Sequence, residues 1–310
     1  MKRLILISCF WILVMPRLAA SAPASEEFTL SPYQGSMGMA MGNDPPSSPK
    51  DGDPGAAGEG VRKRPVLAAL KVIFSNVTVW AFDRYVTNQP YARISWQTWK
   101  RNLRSSFAFD ADTFFTNFLA HPYHGSVYFN SARSLGMNFW ESMPYVLGGS
   151  LLWEEFGENT RPSTNDLIMT TTGGICIGEV LFRLSSQILD DTATGSERTW
   201  REILAAIVNP TRGFSRLLSG DSRRVRSTNG QIREPIHGNF ALSEKLVSET
   251  SSLTDLTSSP GVEFDLVYGE STRDIVSRIP FDFIVLNGVI RYRDNHVLGF
   301  ANAYAVWFHK

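Results

Sequence analysis

The spacing of apolar and polar residues changes along the chain, from a helical period to alternation. From about residue 65 to 210, apolar residues recur every three or four positions, which is typical of amphipathic helices. From residue 236 onward they alternate with polar residues, as in half-buried strands. The pattern predicts an α+β protein with an N-terminal helical domain at 65–210 and an antiparallel β region at 236–310.

The helical domain contains recognisable start signals. Pro65 suits the first turn of a helix, and the segment 94–109 has an amphipathic pattern. Pro122 can begin another helix, since its missing N–H costs nothing in a first turn. Ser163 as N-cap and Asp166 three residues later predict a helix that runs to residue 188.

The β region divides into four alternating segments, at 236–246, 262–268, 283–292 and 297–308. Bulky residues on one face and small or polar residues on the other are typical of an outer-membrane β-barrel wall, so the region resembles part of such a barrel. Four strands are fewer than the roughly eight that close a barrel. Three interpretations stay open: a C-terminally truncated barrel, a sheet resting on the helical domain, or several chains assembling together.

The remaining segments have non-globular compositions. Residues 1–24 have a basic start, an apolar run at 4–15 and small residues after it, which predicts an export signal peptide cleaved after Ala20, Ala22 or Ala24. The Gly-, Pro- and Ser-rich stretch 25–64 predicts a disordered linker. Residues 211–235 contain arginines among Ser and Gly, which indicates a basic, loop-rich hinge.

Composition narrows the class of partner. Lys+Arg and Asp+Glu are both 30, which argues against a nucleic-acid partner. The two cysteines are Cys9 and Cys176, so removal of the signal peptide leaves no internal disulfide. No apolar run reaches the roughly 20 residues of a membrane-spanning helix. We therefore expect contact with the outer membrane or lipid through strands, an interfacial helix or association, and a homo-oligomer or a barrel partner stays open.

Two pairs of residues are candidates for catalytic chemistry. His121 and His124 are three positions apart, and Glu154 and Glu158 share a helix face four apart. Such groups divide acid and base roles or bind a metal. The alternatives are histidines that anchor a helix junction and glutamates paired with arginine, namely Arg133, Arg161 or Arg183. No metal or cofactor is assigned.

Charged residues in apolar surroundings predict a buried polar network. Glu179 and Arg183 are four apart among small and apolar residues, so the pair is expected to be buried and partnered. The residues expected in the network are Asn117, Arg133, Asp166, Glu179 and Arg183. No nucleophile-elbow, zinc-protease, P-loop or dinucleotide-binding motif is present.

Several unusual blocks occur in order between residues 80 and 190. They are D-x-D-x-x-x-T-N-x-x-x-H-P-Y-H-G-S-x-Y-F-x-x-A-R-S from Asp110, W-E-x-x-x-E from Trp153, P-S-x-N-D-L from Pro162 and G-G-x-x-x-G-E from Gly173. This succession resembles the bacterial family DUF3943. The resemblance implies a Gram-negative envelope protein, no established activity, and continuation into further β-strands.

These observations lead to two functional hypotheses. The first is an exported, outer-membrane-associated envelope protein with a structural or binding role. The alternative is a membrane-associated hydrolase that acts on lipid or glycolipid through the His/Glu residues. They are distinguished by whether His121, His124, Glu154 and Glu158 converge on an open cleft.

Overall fold

The computed structural model describes residues 63–113, 115–231, 234–248, 256–269, 280–281, 283–293 and 296–305. The predicted signal peptide and almost all of the predicted linker lie outside these residues. Within them the helices precede an antiparallel sheet, so the predicted α+β class is confirmed.

The helical part extends from Pro65 to Ser219. Its α-helices are α1 Pro65–Tyr85, α2 Trp96–Asn102, α3 His121–Arg133, α4 Phe139–Leu152, α5 Thr164–Ile168, α6 Gly174–Ile188, α7 Gly195–Val208 and α8 Pro210–Ser219. Three single turns of π-helix, Thr116–Ala120, Trp153–Gly157 and Met169–Gly173, continue directly into or out of these helices. One continuous helix, Thr164–Ile188, is thus formed by α5, a π-turn and α6.

The segment predicted as one helix over 94–109 ends early. Helix α2 stops at Asn102, whose side-chain amide donates to the carbonyl of Glu158 at 3.1 Å. Farther on, Ala108 forms an isolated parallel bridge with Ser163. These contacts with a distant loop compete with helical hydrogen bonds, and periodicity alone does not reveal them.

The start of the predicted hinge at 211–235 is helical. Helix α8 is capped by the Asn209 side chain and ends at Gly220, which has a positive φ of 76°. The guanidinium of Arg212 is buried and donates to the carbonyl of Phe182 and the hydroxyl of Ser185. The description as a basic loop was therefore wrong at 211–219, because its arginines satisfy buried acceptors there.

Helices α3 and α6 pack at very close range. A Cβ atom added to Gly125 would lie 1.9 Å from the carbonyl oxygen of Thr170, and one added to Gly178 would lie 2.7 Å from the Phe129 ring. Glycine is therefore required at this crossing. The core around it includes Tyr128, Phe129, Phe139 and Ile175.

Four strands form an antiparallel meander in the order β1 Ile236–Ser248, β2 Leu256–Tyr268, β3 Ile284–Arg293 and β4 His296–Ala305. Within the described strands β1 pairs with β2 and β4 with β3, so the sheet is open. At one end of the sheet, Tyr268 and Ile284 pack in the same core cluster as Phe129 and Phe139. The Phe281 ring lies beside the Phe139 ring, tilted by 39°, with 5.8 Å between the ring centroids. The sheet thus packs on the helices at one end.

Candidate functional site

The candidate site lies where the loop before α3 meets the loop before α5. Ala108 N donates to the Pro162 carbonyl at 3.0 Å, and Thr164 N donates to the Ala108 carbonyl at 2.7 Å. This short bridge fixes the two loops side by side. It brings Asp110 next to Asn165 of α5, although the two residues are 55 positions apart in sequence.

Asn165 connects the two loops through its side chain. Its amide nitrogen lies 2.6 Å from Asp110 Oδ1, 3.2 Å from Asn117 Oδ1 and 3.2 Å from Asp166 Oδ1. Its carbonyl oxygen accepts from Asp110 N at 3.0 Å and from the Ser163 hydroxyl at 2.9 Å. Asn165 therefore holds two carboxylates in a defined arrangement.

Each π-helical turn supplies one residue to this region. Asn117 lies on the first turn, Glu154 on the second and Thr170 on the third. A π-turn inserts one residue into a helix, which reorients the following side chains, and such turns occur frequently at functional sites. No feature of the periodic pattern predicts them.

His121 faces two aspartates. Its Nε2 lies 3.3 Å from Asp166 Oδ1 and 3.8 Å from Asp112 Oδ2, while its Nδ1 lies 3.2 Å from the Thr170 hydroxyl. The imidazole and Asp166 are buried, whereas the Asp112 side chain is 46% exposed. Burial lowers the pKa of His121 against the opposing effect of Asp112 and Asp110, which favours the neutral ring.

Two carboxyl groups near His121, those of Glu154 and Asp166, are unusually hard to ionise. Burial raises the pKa of Glu154 to about 8 despite the hydrogen bond from Ser163 N at 2.8 Å, and Glu158 adds to the rise. Burial and a hydrogen bond shared with Asp110 raise the pKa of Asp166 to about 8. At Asp110 the hydrogen bonds outweigh burial and lower the pKa, so Asp110 ionises at a lower pH than Asp166.

His124 belongs to different surroundings, although it is only three residues from His121. Its Nε2 lies 2.8 Å from the Tyr128 hydroxyl, and its ring packs edge-on against Trp153 at 5.1 Å between centroids. Burial lowers its pKa to about 3, so the ring is neutral. The two histidines do not form one site.

Glu158 also has its own partners. It accepts from the Trp153 indole at 2.7 Å and from the Thr160 hydroxyl at 2.8 Å. Arg161, one of the arginines considered for it, donates to Ser106 instead. The interpretation of Glu154 and Glu158 as arginine-paired was therefore wrong: their hydrogen bonds come from Ser163 N, an indole and a hydroxyl.

A second polar network lies deeper between α3 and α6. Both oxygens of Glu179 accept from Arg133 at 2.8 Å, and Oε1 also accepts from Arg183 at 2.9 Å. Arg183 reaches the Pro280 carbonyl at 2.7 Å, which connects helix to β region. Arg133 and Arg212 each lie over the Phe182 ring, at 4.4 and 4.2 Å.

The structure thus divides the sequence-predicted residues into separate groups. Four of them meet in one cluster, namely Asn117, His121, Glu154 and Asp166. Arg133, Glu179 and Arg183 form the buried network, while His124 and Glu158 have local partners. The residues that the prediction missed are Asp110, Asp112, Ser163, Asn165 and Thr170. The D-x-D spacing was the available signal for the first two.

The segment that carries the cluster matches a known family. Residues 106–211 match the family model described as Domain of unknown function (DUF3943). This segment of the chain is therefore similar to the DUF3943 family. The match begins later than the resemblance at 80–190 and extends farther. No significant match was found among curated proteins or solved structures.

All residues of the His121 cluster, and Arg133, Glu179 and Arg183 of the buried network, lie within the segment 106–211 that matches DUF3943. Helix α1 and the sheet lie outside it. The cluster has the groups for two kinds of chemistry. Carboxyl groups that hold protons near neutral pH suit acid–base chemistry. Nitrogen and oxygen atoms that lie a few ångströms apart suit metal binding.

Proposed function

We propose that this protein is an exported component of the Gram-negative cell envelope, held at the outer membrane by exposed apolar surfaces, with a structural or binding role. The observation that carries the proposal is the exposed apolar face of α1. Its residues Pro65–Tyr85 and the continuous helix Thr164–Ile188 are long and apolar enough to cross a bilayer, contrary to the expectation of no such segment. Core helices of soluble proteins are also this long and apolar, but they are mostly buried. The apolar window of α1 is only 17% buried, which distinguishes it from a core helix.

Helix α1 buries the apolar residues Ala68, Val72 and Phe82 against the protein and has a second apolar side that is exposed. Lys71 donates to Ser215, and Asn76 donates to the Gly149 carbonyl. A single outward stripe at spacings of three and four consists of Val66, Leu70, Ile73, Phe74 and Val77, all exposed. Helix α1 is therefore apolar on its buried and on its exposed face, whereas a water-facing helix has a polar outer face. A lipid surface suits the stripe because it removes these side chains from water without requiring polar partners.

The sheet has a second exposed apolar row. Leu242, Val262 and Ile290 are register partners across three strands and are all exposed, with Leu242 at 89%. The same face is buried at its other end, at Tyr268 and Ile284. An apolar face that projects beyond the helices supports contact of the β region with lipid or with further strands.

The hydrolase alternative receives less support from the site. It requires His121, His124, Glu154 and Glu158 to converge on one open cleft. His124 instead contacts Tyr128 and Trp153, and Glu158 accepts from Trp153. The alternative thus rests on His121 and Glu154 alone, and it would be favoured by lipid or glycolipid cleavage that is lost in His121→Ala.

Vesicle flotation tests the membrane contact. The purified chain is mixed with phosphatidylethanolamine–phosphatidylglycerol vesicles and floated, alongside a Leu70→Glu/Phe74→Glu variant. Burial of each side chain contributes about 1.5–3 kcal/mol, so the variant should lose at least about 100-fold in partitioning. The matched control is Ser196→Glu/Thr199→Glu on α7, which adds the same two charges at exposed polar residues outside the stripe.

Three results would contradict the proposal. The first is equal flotation of the wild type and the stripe variant. The second is conversion of a dimer to a monomer by the stripe variant with flotation unchanged, which would assign the stripe to a second copy. The third is recovery of the chain in the cytosol with an intact N-terminus after cell fractionation, since export would then fail.

A further inference from the structure

Three side chains from separate segments direct donor atoms toward one point. Asp112 comes from the loop before α3, His121 from the first turn of α3 and Asp166 from α5. One carboxylate oxygen of each aspartate and one imidazole nitrogen lie within 4.8 Å of one another. This arrangement is a property of the tertiary fold, since no two of the three residues are neighbours in sequence.

The buried nitrogen of His121 has no hydrogen-bond partner among the described residues. Its Nδ1 lies within reach of the Thr170 hydroxyl, but Nε2 makes no hydrogen bond even though two carboxylates are close. When Nδ1 carries the proton and donates it to Thr170, the Nε2 lone pair lies 3.3 Å from Asp166 Oδ1 and 3.8 Å from Asp112 Oδ2 without a hydrogen bond to either. A bound cation would give this lone pair and both carboxylates a common partner.

We propose that Asp112, His121 and Asp166 bind one divalent transition-metal ion, with Zn²⁺ as the expected species. Donor atoms about 2.1 Å from a tetrahedral ion lie roughly 3.4 Å apart. The observed separations of 3.3 and 3.8 Å from Nε2 bracket that value. Three protein ligands leave a fourth position for water or another ligand, as in open zinc sites.

The surroundings have the order and charge that a cation requires. Asn165 donates to Asp166, and Thr170 orients the imidazole, which are the supporting contacts usual around metal ligands. In the described part of the chain, no lysine or arginine forms an ion pair with the carboxylates of the cluster, namely Asp110, Asp112, Glu154 and Asp166. A divalent ion supplies the missing positive charge.

The imidazole also selects among cations. Mg²⁺ and Ca²⁺ prefer oxygen donors, whereas imidazole nitrogen suits Zn²⁺ and neighbouring transition metals. The exposed side of Asp112 leaves a path from solvent to the buried nitrogen. We therefore expect Zn²⁺ to remain bound in the presence of excess Mg²⁺.

Equilibrium dialysis of tag-free full-length protein against Zn²⁺ in detergent micelles tests the site, with bound metal measured by mass spectrometry. The wild type should bind one Zn²⁺ per chain and retain it against 100-fold excess Mg²⁺. Asp112→Asn and His121→Gln should each weaken binding by at least about 100-fold. Asp112→Asn matters most, because this exposed residue can change without disturbing the core. Glu155→Gln is the charge-matched control and should bind like the wild type.

Several outcomes would overturn the proposal. They are absence of stoichiometric Zn²⁺ in the wild type, wild-type affinity in both ligand variants, and an equal loss in Glu155→Gln. Displacement of Zn²⁺ by Mg²⁺ at comparable concentrations would refute the nitrogen ligand. The measurement uses no vesicles, so its failure leaves the flotation result unaffected, and the converse also holds.

Discussion

Substitution of Glu179 by glutamine should destabilise the helical domain far more than the same change at an exposed pair. Glu179 is fully buried and accepts three hydrogen bonds of 2.8–2.9 Å from two arginines. Glutamine keeps the shape but removes the charge, so two buried guanidinium groups lose their shared anion. Breaking a buried ion pair in this way costs about 3–5 kcal/mol.

The chain provides a matched control for this change. Glu197 and Arg201 form the same i, i+4 pair at 2.8 Å, but the Glu197 side chain is 62% exposed. An exposed helical pair contributes about 0.2–0.5 kcal/mol. Glu179→Gln and Glu197→Gln therefore remove the same charge from the same i, i+4 spacing. The roughly tenfold difference in expected effect comes from burial together with the second arginine, Arg133, that Glu179 also binds.

Urea unfolding followed by tryptophan fluorescence and circular dichroism measures both variants in the same detergent micelles. With a slope of about 3 kcal/mol per molar urea, Glu179→Gln should lower the midpoint by about 1–1.7 M, and Glu197→Gln by less than about 0.2 M. Midpoint changes of equal size in the two variants would refute the reasoning, because burial would then have no effect on the pair.

The pH dependence of the same difference is a second check. Burial opposes ionisation of Glu179, but Arg133 and Arg183 outweigh it and lower the pKa below the ordinary 4.5. A depressed folded-state pKa contributes stability that is present above pH 4.5 and is lost as pH falls through the lowered value. The gap between wild type and Glu179→Gln should stay constant from pH 7 to about 5 and shrink below 4.5.

Two further pairs of substitutions test the packing. Gly125→Ala should destabilise the protein by about 1–3 kcal/mol, since the added methyl group meets the Thr170 carbonyl. In Gly148→Ala the methyl group meets nothing within 4 Å, so this variant should stabilise α4 by up to about 1 kcal/mol. Ile284→Ala, buried in the contact between sheet and helices, should cost about 2–5 kcal/mol, against about 0.5 kcal/mol or less for Ile290→Ala, exposed on the same strand. Equal effects within either pair, measured by urea unfolding, would contradict the packing described.

The fold class was accessible from the sequence because period and chemistry agreed over long segments. Pro65 and Ser163 mark helix starts as the pattern predicts, and the four alternating segments become four paired strands. Glu179 and Arg183 also pair as their spacing indicates. Each of these features depends on residues close together in sequence, where the helical and strand periods constrain the neighbours directly.

The site was only partly accessible, because it depends on contacts between distant segments. His121 and His124 suggested a shared site, but π-turns and helix packing give the two rings separate neighbours. Asp112 approaches His121 because Ala108 bridges to Ser163, a contact that no local period encodes. Sequence spacing identified the right segment and predicted Asp166, but it missed Asp112 and Thr170, the other two residues next to the His121 ring.

The two polar networks of the helical domain resolve buried charge in opposite ways. Around Glu179, one carboxylate meets two arginines, which is a self-sufficient structural solution. Around His121, Glu154 and Asp166 have pKa values of about 8, so between pH 4.5 and 8 the folded state retains protons that the unfolded chain releases. Folding stability therefore falls as pH rises through that range. A fold that keeps such a cost, at the meeting point of three π-turns, is expected to use it for binding, and a cation at His121 would remove the cost by stabilising the ionised carboxylates.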